Sequence, residues 1–280
     1  MRTFSSKSVV ALLMLASGAI AVPAMAQCAG AKVAAAGDHL WVDAQGEGPV
    51  TVVFESGNGN DSTVWSAIAA SVRAKGMRTL VYDRAGLGQS ELPSGPYSID
   101  QVSRAFRAVL DACHVAGPVV LVTHSYGGFI SLLSASQDRR IAGLVMVDAN
   151  VPAFFDRAET DAILAEYRPQ YAELRAQAPK LALSMIPLME AYPATARRLR
   201  TVHIPHDLPI IDITAERTWV SKPEQVAAIR RAHADFVAAS AARSAVFAAG
   251  SSHNVMRDKP EIVVAAIQDM VARVVKPTRR

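Results

Sequence analysis

The chain has 280 residues, of which 51% are hydrophobic and 19% charged, and its formal net charge is +4. This length is sufficient for one sizeable α/β domain with room for an insertion, and it excludes a chain too small to bury a hydrophobic core. Part of the charge excess lies in Lys276, Arg279 and Arg280 at the C-terminus. The sequence therefore indicates a solvated tail and no basic face for nucleic acid.

Residues 1–26 have the pattern of a cleaved export signal. Arg2 and Lys7 precede an apolar run over residues 9–22, and Ala24-Met25-Ala26 is the small-x-small pattern that a signal peptidase reads. The apolar run has 14 residues, whereas a membrane-spanning helix needs about 20. We therefore expect cleavage after Ala26, no stable membrane anchor, and an exported protein that is periplasmic or secreted.

Both cysteines of the chain, Cys28 and Cys113, remain after such a cleavage. Export implies an oxidising compartment in which a disulfide persists, and two cysteines permit a single pairing. We predict a Cys28–Cys113 disulfide that fastens the N-terminal arm. The alternative is a buried Cys113 on a helix and an unpaired Cys28.

Two short β-rich segments open the fold. Residues 40–43 and 51–55 are separated by Gln-Gly-Glu-Gly-Pro, a turn cluster that predicts an antiparallel hairpin at the edge of a sheet. The second segment runs into the loop Ser56-Gly57-Asn58-Gly59-Asn60, before a helix predicted over 61–74. Glycines in such a loop let backbone N–H groups approach a bound group closely, although the same composition is typical of an ordinary turn.

The next predicted strand, residues 79–83, leads into a glycine-containing loop over 84–90. We expect Asp83 to hold this loop and to take no part in chemistry, and the glycine spacing does not fit a phosphate-binding loop. Ser98 and Gln101 then form a predicted capping box for a helix that precedes the next strand. A strand, a helix and a strand in this order predict parallel pairing, with helices on both faces of the sheet.

Residues 119–128, Val-Val-Leu-Val-Thr-His-Ser-Tyr-Gly-Gly, predict a buried strand that turns sharply into a helix. Such a turn lifts the hydroxyl of Ser125 clear of the sheet, and Gly127 and Gly128 leave room for the helix to pack closely. The pattern predicts a nucleophilic serine, although strand-to-helix connections of this composition also occur without a function.

A serine hydroxyl is a weak nucleophile at neutral pH unless an imidazole takes its proton. Of the seven histidines, His253 is the predicted base because it lies in a loop after the last strand and before a helix. His124 is adjacent to Ser125 but is predicted to point to the other side of the chain and to pack. His203 and His206 lack a carboxylate or cysteine in ligand spacing, so we predict no metal site.

The remaining predicted elements are strands over 141–147, 209–214 and 244–249, a helix capped by Ser221 and Glu224, and a terminal helix from Pro260. Between the first two of these strands, proline-interrupted helical patterns replace the alternation of strands and helices. We therefore predict a core over 27–149 and 207–280, with a helical cap inserted over 150–206.

Together these motifs resemble the serine α/β-hydrolase superfamily, in the branch with elbows such as G-H-S-x-G-G. The similarity covers residues 46–275 apart from 150–206, with Ser56 and Thr123 departing from the usual H-G-x-G and G-x-S-x-G patterns. It implies an α/β fold with a mostly parallel sheet of about eight strands, helices on both faces and a helical cap. It also implies hydrolysis without a cofactor, in which the backbone N–H groups of Asn58 and Tyr126 bind the oxyanion.

The acid that would orient His253 has two candidates. Most of the superfamily places it after the seventh strand, where the usual position aligns near Thr218, so that Glu216 is about two residues early and Asp212 falls within the strand. The branch with similar F-E-S-G-x-G and Y-D-R-A-G-L-G stretches tends to lack this acid. We therefore predict Asp148, after the sixth strand, with Glu216 as the alternative acid. An aspartate at that strand end can also serve only to hold a loop.

These residues predict an exported serine hydrolase that cleaves a small, ester-like molecule. A lactonase, an aminopeptidase or a hydrolase of carbon–carbon bonds would use the same residues, and the fold also serves ligand-binding receptors with slow turnover. Serine in place of aspartate at the elbow argues against haloalkane and epoxide chemistry.

Overall fold

Eight strands form one sheet in the order β1-β2-β4-β3-β5-β6-β7-β8 in the computed structural model, which describes residues 27–275. The predicted export signal and the C-terminal basic residues lie outside the described part of the chain. The strands are β1 (Ala31–Ala35), β2 (Asp38–Gln45), β3 (Thr51–Glu55), β4 (Arg78–Tyr82), β5 (Val119–His124), β6 (Ile141–Val147), β7 (Ile210–Arg217) and β8 (Arg243–Ser252). Neighbours from β4 to β8 run parallel, whereas β1 and β2 form an antiparallel edge. The predicted α/β class with a mostly parallel sheet is confirmed.

Helices cover both faces of this sheet. They are α1 (Ser66–Ala74), α2 (Ile99–Ala112), α3 (Gly127–Ala135), α4 (Arg157–Tyr167), α5 (Tyr171–Gln177), α6 (Pro179–Glu190), α7 (Tyr192–Arg200), α8 (Pro223–Ala238), α9 (Val255–Asp258) and α10 (Pro260–Val275). One hydrophobic core packs α2, α3 and α8 on one face, and a second packs α1 and α10 on the other. Because β3 and β5 are buried along their whole length, they take central positions, as is usual for parallel strands covered on both sides.

The predicted hairpin between residues 40–43 and 51–55 is wrong. β2 pairs with β1 and β4, and β3 lies between β4 and β5. The burial pattern explains the difference, because β2 alternates between buried and exposed positions and suits an edge region. Every residue of β3 is buried, which requires neighbours on both sides of the strand.

The side-chain hydrogen bonds of the two predicted helix caps do not form, and only Ser98 has the N-cap position expected of it. Ser98 occupies the N-cap position of α2 without a side-chain capping hydrogen bond, and the Gln101 side chain donates to the Ala36 carbonyl at 2.8 Å. Lys222 is the N-cap of α8, and Pro223 occupies its first turn. A proline there needs no N–H partner, which leaves Ser221 outside the helix.

Asp83 holds the loop that follows β4, as predicted. One carboxylate oxygen accepts from the Ser62 N–H and the other from the Gln89 N–H, both at 2.8 Å. Charge-assisted hydrogen bonds from two backbone segments fix the loop relative to the start of the α1 region.

The predicted disulfide is present and joins Cys28 to Cys113 directly after α2. The two Cα atoms are 5.7 Å apart, and the bond closes 85 residues of chain. A cross-link over a loop of this length stabilises a domain by roughly 4 to 5 kcal/mol in the chain-entropy account. It fastens the segment before β1 to the helix that packs beside it.

Four helices, α4 to α7, lie between β6 and β7, within the interval assigned to the cap from the sequence. Helix α6 contacts the loop after β4, where Ser184 Oγ donates to the Ala85 carbonyl at 3.3 Å and Lys180 Nζ to the Gly88 carbonyl at 2.9 Å. Over residues 27–275, no helix combines the length and apolar composition that crossing a membrane requires.

Candidate active site

Ser125 lies at the turn between β5 and α3 with a backbone φ of 52°. This left-handed conformation is uncommon for a residue with a side chain and is characteristic of a strained elbow. A Cβ at Gly127 would lie 2.6 Å from Thr123 Oγ1, and one at Gly128 would lie 2.6 Å from the Asn150 carbonyl oxygen. Both positions therefore require glycine for the close packing that the sequence pattern predicts.

His253 and Asp148 meet at the carboxyl ends of β8 and β6, which flank β7 in the sheet. His253 Nδ1 lies 2.6 Å from Asp148 Oδ2, although the residues are 105 positions apart in the chain. Asp148 is 3% exposed at its side chain and His253 is 20% exposed. Because the carboxylate can only accept, Nδ1 carries the proton and Nε2 is left unprotonated in the neutral ring. His253 can therefore act as a base through Nε2.

Asp148 is fixed by two further hydrogen bonds. The Ala215 N–H donates to Oδ1 at 3.0 Å, and Thr218 Oγ1 donates to Oδ2 at 2.8 Å. Burial raises the pKa of Asp148, but the hydrogen bonds and charge of its partners outweigh that effect and hold the pKa below its usual value. The carboxylate is therefore ionised at neutral pH and can stabilise a protonated His253.

Thr218, near which the resemblance places the usual acid, instead donates a hydrogen bond to Asp148, the carboxylate that follows β6. This role was not predicted from the sequence. The sequence offered one indication of it, because a threonine stands close to the position expected for a carboxylate. A hydroxyl group there can donate a hydrogen bond to an acid that follows β6.

The other acids considered do not contact His253. Glu216 is exposed, and its Oε2 accepts from the Gly250 N–H at 2.8 Å. Asp212 is buried within β7, and its Oδ2 lies 2.8 Å from His233 Nδ1. The structure therefore brings Asp148 to His253 and leaves Glu216 outside the site.

His124 is a packing residue, as predicted, but the prediction that it points away from the site is wrong, because it packs against His253 and lines the cavity that contains Ser125. The two ring centroids are 4.4 Å apart, and His124 Nε2 lies 3.0 Å from the His253 carbonyl oxygen. Burial, with a contribution from the charge of His253, lowers the pKa of His124 to about 3. His124 is therefore neutral at neutral pH, and its Nε2–H donates to the backbone of the loop that carries His253.

The loop after β3 approaches Ser125 closely. A Cβ at Gly57 would lie 3.1 Å from Ser125 Cβ and 2.7 Å from His124 Nδ1, so only glycine fits there. Among residues 27–275, no backbone carbonyl accepts a hydrogen bond from the N–H group of Asn58 or Tyr126. Two such amides beside a serine are free to bind an oxyanion.

A buried ion pair holds the loop that carries Asn58. Arg84 pairs with Glu55, and the two side chains are 7% and 0% exposed. The Arg84 guanidinium also donates to the Ser56 carbonyl at 2.5 Å and to the Gly57 carbonyl at 2.6 Å. Burial lowers the pKa of Arg84, but the charge of Glu55 more than restores it, so Arg84 stays charged.

The contact with the Gly57 carbonyl sets the direction of the next amide. In a trans peptide the C=O and the following N–H point in opposite directions, and residues 27–275 contain no cis peptide bond. The Asn58 N–H therefore points away from Arg84. Sequence reasoning missed this pair, although a glutamate ending an apolar strand signals a buried partner.

Ser125 and His253 line one cavity of about 410 Å³. Its wall also contains the amide side chains of Asn58, Asn60, Asn150 and Asn254, the aromatic rings of Tyr167, Tyr192 and Trp219, the apolar side chains of Ile163, Met185 and Met189, and His124 and Arg257. Helices α4, α6 and α7 supply part of this wall. Within 27–275, no cluster of three or more His, Cys, Asp and Glu side chains could hold a metal ion, and the His203 and His206 ring centroids are 6.3 Å apart.

An elbow serine, a histidine and a buried carboxylate at the carboxyl edge of such a sheet define a hydrolase of α/β fold. The chain belongs to the alpha/beta hydrolase family, whose model matches residues 52–266. It is 29% identical over 228 residues to the uncharacterized protein YqjL of Bacillus subtilis (strain 168), which covers 81% of this chain and 85% of that protein.

Solved structures share the fold. A thermophilic esterase from Thermogutta terrifontis matches with a TM-score of 0.61 at 20% identity, over 85% of this chain and 95% of the esterase. The enol-lactonase from Burkholderia xenovorans LB400 matches with a TM-score of 0.59 at 20% identity, over 86% of this chain and 99% of the lactonase. At this identity the similarity establishes the fold alone.

Proposed function

We propose that the protein hydrolyses carboxylic esters through Ser125, His253 and Asp148. The observation that carries the proposal is the 2.6 Å contact between His253 Nδ1 and the buried Asp148 carboxylate, in the cavity that Ser125 lines from a strained turn. The carboxylate holds the tautomer that leaves His253 Nε2 free to take a proton.

The proposed reaction proceeds through an acyl-enzyme. His253 takes the proton of Ser125 as its Oγ attacks the ester carbonyl, and the Asn58 and Tyr126 amides bind the oxygen that becomes negative. His253 then gives the proton to the departing alkoxide, which leaves as the alcohol. Water, deprotonated by His253, then attacks the acyl group, and His253 returns that proton to Ser125 Oγ as the acid is released. No cofactor is needed in this scheme.

Sustained turnover of p-nitrophenyl esters by the purified protein tests this function. We expect steady release of p-nitrophenol far beyond one equivalent of protein, because water can enter the cavity after the first product leaves. A single burst of one equivalent, without later turnover, would contradict the esterase and favour a ligand-binding receptor with the same residues.

Export is a second proposal, supported by the pattern over residues 1–26 and by the Cys28–Cys113 disulfide. Disulfides persist mainly in oxidising compartments such as the periplasm or the exterior of the cell. The N-terminal residue of the protein recovered from its native host tests the proposal. A chain that still begins at Met1 would contradict it.

Arg84→Lys is expected to lower kcat about 10- to 100-fold with little change in KM. Lysine keeps the charge opposite Glu55 but lacks the planar fork that holds both the Ser56 and Gly57 carbonyls. The Asn58 amide then loses its fixed direction, and losing one oxyanion donor outright costs about 10²- to 10³-fold. Measured kcat and KM for one p-nitrophenyl ester test the positioning role.

Arg140→Lys is the matched control. Arg140 also forms partly buried ion pairs, with Asp111 and Asp138, but it lies just before β6, at the opposite end of that strand from Asp148. An equal loss of kcat in both variants, or an unchanged kcat in a folded Arg84→Lys protein, would contradict the proposal. It would show that Arg84 does not act through the loop after β3 that carries Asn58, called here the oxyanion loop.

A further inference from the structure

A second cavity of about 500 Å³ lies beside the one that contains Ser125. The loop after β4, the start of α2 and the cap helix α6 form its wall, with apolar side chains that include Leu40, Leu87, Val102, Ala105 and Leu188. Neither Ser125 nor His253 lines it. A volume of this size is within the range of pockets that hold small organic ligands.

The charged side chains in this wall already have protein partners. Arg84 pairs with Glu55, Asp38 accepts from the Ser94 N–H at 2.8 Å, and Arg104 donates to Gln101 Oε1 at 2.7 Å. The remaining surface is largely hydrocarbon. The cavity therefore favours an apolar occupant, because an ionic ligand would have to compete with these pairs.

Asn58 and Met185 separate the two cavities and line both of them. Asn58 Nδ2 lies 3.1 Å from Met189 Sδ, and a Cβ at Gly59 would lie 3.0 Å from Met185 Sδ. The partition thus consists of the oxyanion loop and two methionines of α6. Methionine side chains change rotamer easily and fit varied partners, so they can admit a chain without movement of the backbone.

The proposed chemistry decides which part of an ester can enter. His253 must reach the oxygen of the leaving group, so the alcohol lies on the side of Ser125 where His253, Asn254 and Arg257 line the wall. The carbonyl oxygen lies at the Asn58 amide. The acyl chain then extends away from His253, past Asn58, toward the second cavity.

We propose that this second cavity binds the apolar acyl chain of the substrate, so that the enzyme prefers medium-chain or long-chain acyl esters. This inference rests on the proposed esterase function for its chemistry. Each methylene that enters an apolar site raises kcat/KM by about fourfold, from the free energy of burying one CH₂. The gain should stop once the cavity is filled.

Two substrate series separate the acyl side from the alcohol side. In p-nitrophenyl esters from acetate to dodecanoate the acyl chain grows, and in acetate esters of alcohols of increasing length the alcohol grows. We expect kcat/KM to rise steeply along the acyl series in the natural protein. A profile that rises along the alcohol series instead, or a flat acyl profile, would overturn the assignment.

Val102→Trp fills the second cavity from α2 and is the test variant. We expect the ratio of kcat/KM for decanoate to that for acetate to fall at least tenfold. Val271→Trp is the matched control, since Val271 is also partly buried but lies on α10 at the other face of the sheet. An unchanged ratio in Val102→Trp, or an equal fall in Val271→Trp, would contradict the proposal.

Calorimetric binding of decanoate keeps the cavity testable if no ester is hydrolysed. We expect the natural protein to bind decanoate and the Val102→Trp variant to bind it at least tenfold more weakly. Absence of ester turnover together with this binding difference would refute the esterase and retain an apolar-chain site. Absence of decanoate binding to the natural protein would refute the cavity assignment itself.

Discussion

Ser125→Ala is expected to reduce kcat for p-nitrophenyl esters by about a millionfold, as loss of the nucleophile does in a serine protease with a comparable triad. The methyl group cannot form the acyl-enzyme, while the amides of Asn58 and Tyr126, the proposed oxyanion donors, stay in place. KM should therefore change much less than kcat. The protein should also stop reacting with a fluorophosphonate, which labels only an activated serine.

Ser131→Ala is the matched control for this substitution. Ser131 lies in α3, the helix that follows the elbow, and it is fully buried. Its hydroxyl has no hydrogen-bond partner among the described residues, so its removal leaves no other group unsatisfied. We expect Ser131→Ala to keep both turnover and labelling. Full activity in Ser125→Ala would mean that another residue is the nucleophile.

Asp148→Asn is expected to lower kcat by about 10⁴-fold, the effect of the corresponding change in a serine protease. The asparagine amide can donate to His253 Nδ1, which favours the tautomer with the proton on Nε2, where a base is needed. It also removes the negative charge that stabilises a protonated His253. The asparagine carbonyl can still accept from Ala215 or Thr218, so the fold should be retained.

Glu216→Gln makes the same chemical change at the alternative acid. Because Glu216 is exposed and its side chain accepts from the Gly250 N–H, we expect kcat to change by less than about threefold, as for surface substitutions that cost little free energy. Measuring kcat for both variants on one ester decides between the acids. A larger loss in Glu216→Gln than in Asp148→Asn would reverse the assignment of Asp148.

Local sequence patterns were sufficient for the parts of the site that depend on neighbours in the chain. The run of residues 119–128 contains both the apolar strand and the glycines that a tight elbow needs, so it predicts the turn at Ser125. His253 follows from its place between the last strand and a helix. Cys28 and Cys113 allow a single pairing, which made the disulfide predictable without knowledge of the fold.

Strand order, by contrast, is a property of the whole sheet. Residues 40–43 and 51–55 are close in sequence and separated by a turn cluster, yet β4 lies between the strands that contain them. A strand buried on both faces, such as β3, gains more from a central position than from its nearest neighbour in the chain. The same reasoning could not decide between Asp148 and Glu216, since either could face His253 until the strand ends were placed.

Four features could be predicted from the amino-acid sequence: the α/β class, the strained turn at Ser125, the loop position of His253 and the cysteine pair. They follow from residues within a few positions of one another or from a single possible pairing. Three other features emerged only from the folded chain: Asp148 contacts both His253 and Thr218, Arg84 holds the loop of Asn58, and an apolar cavity adjoins the site. Each of these contacts joins residues far apart in the chain. Their proximity depends on which strands and helices pack together, and no local pattern specifies that packing.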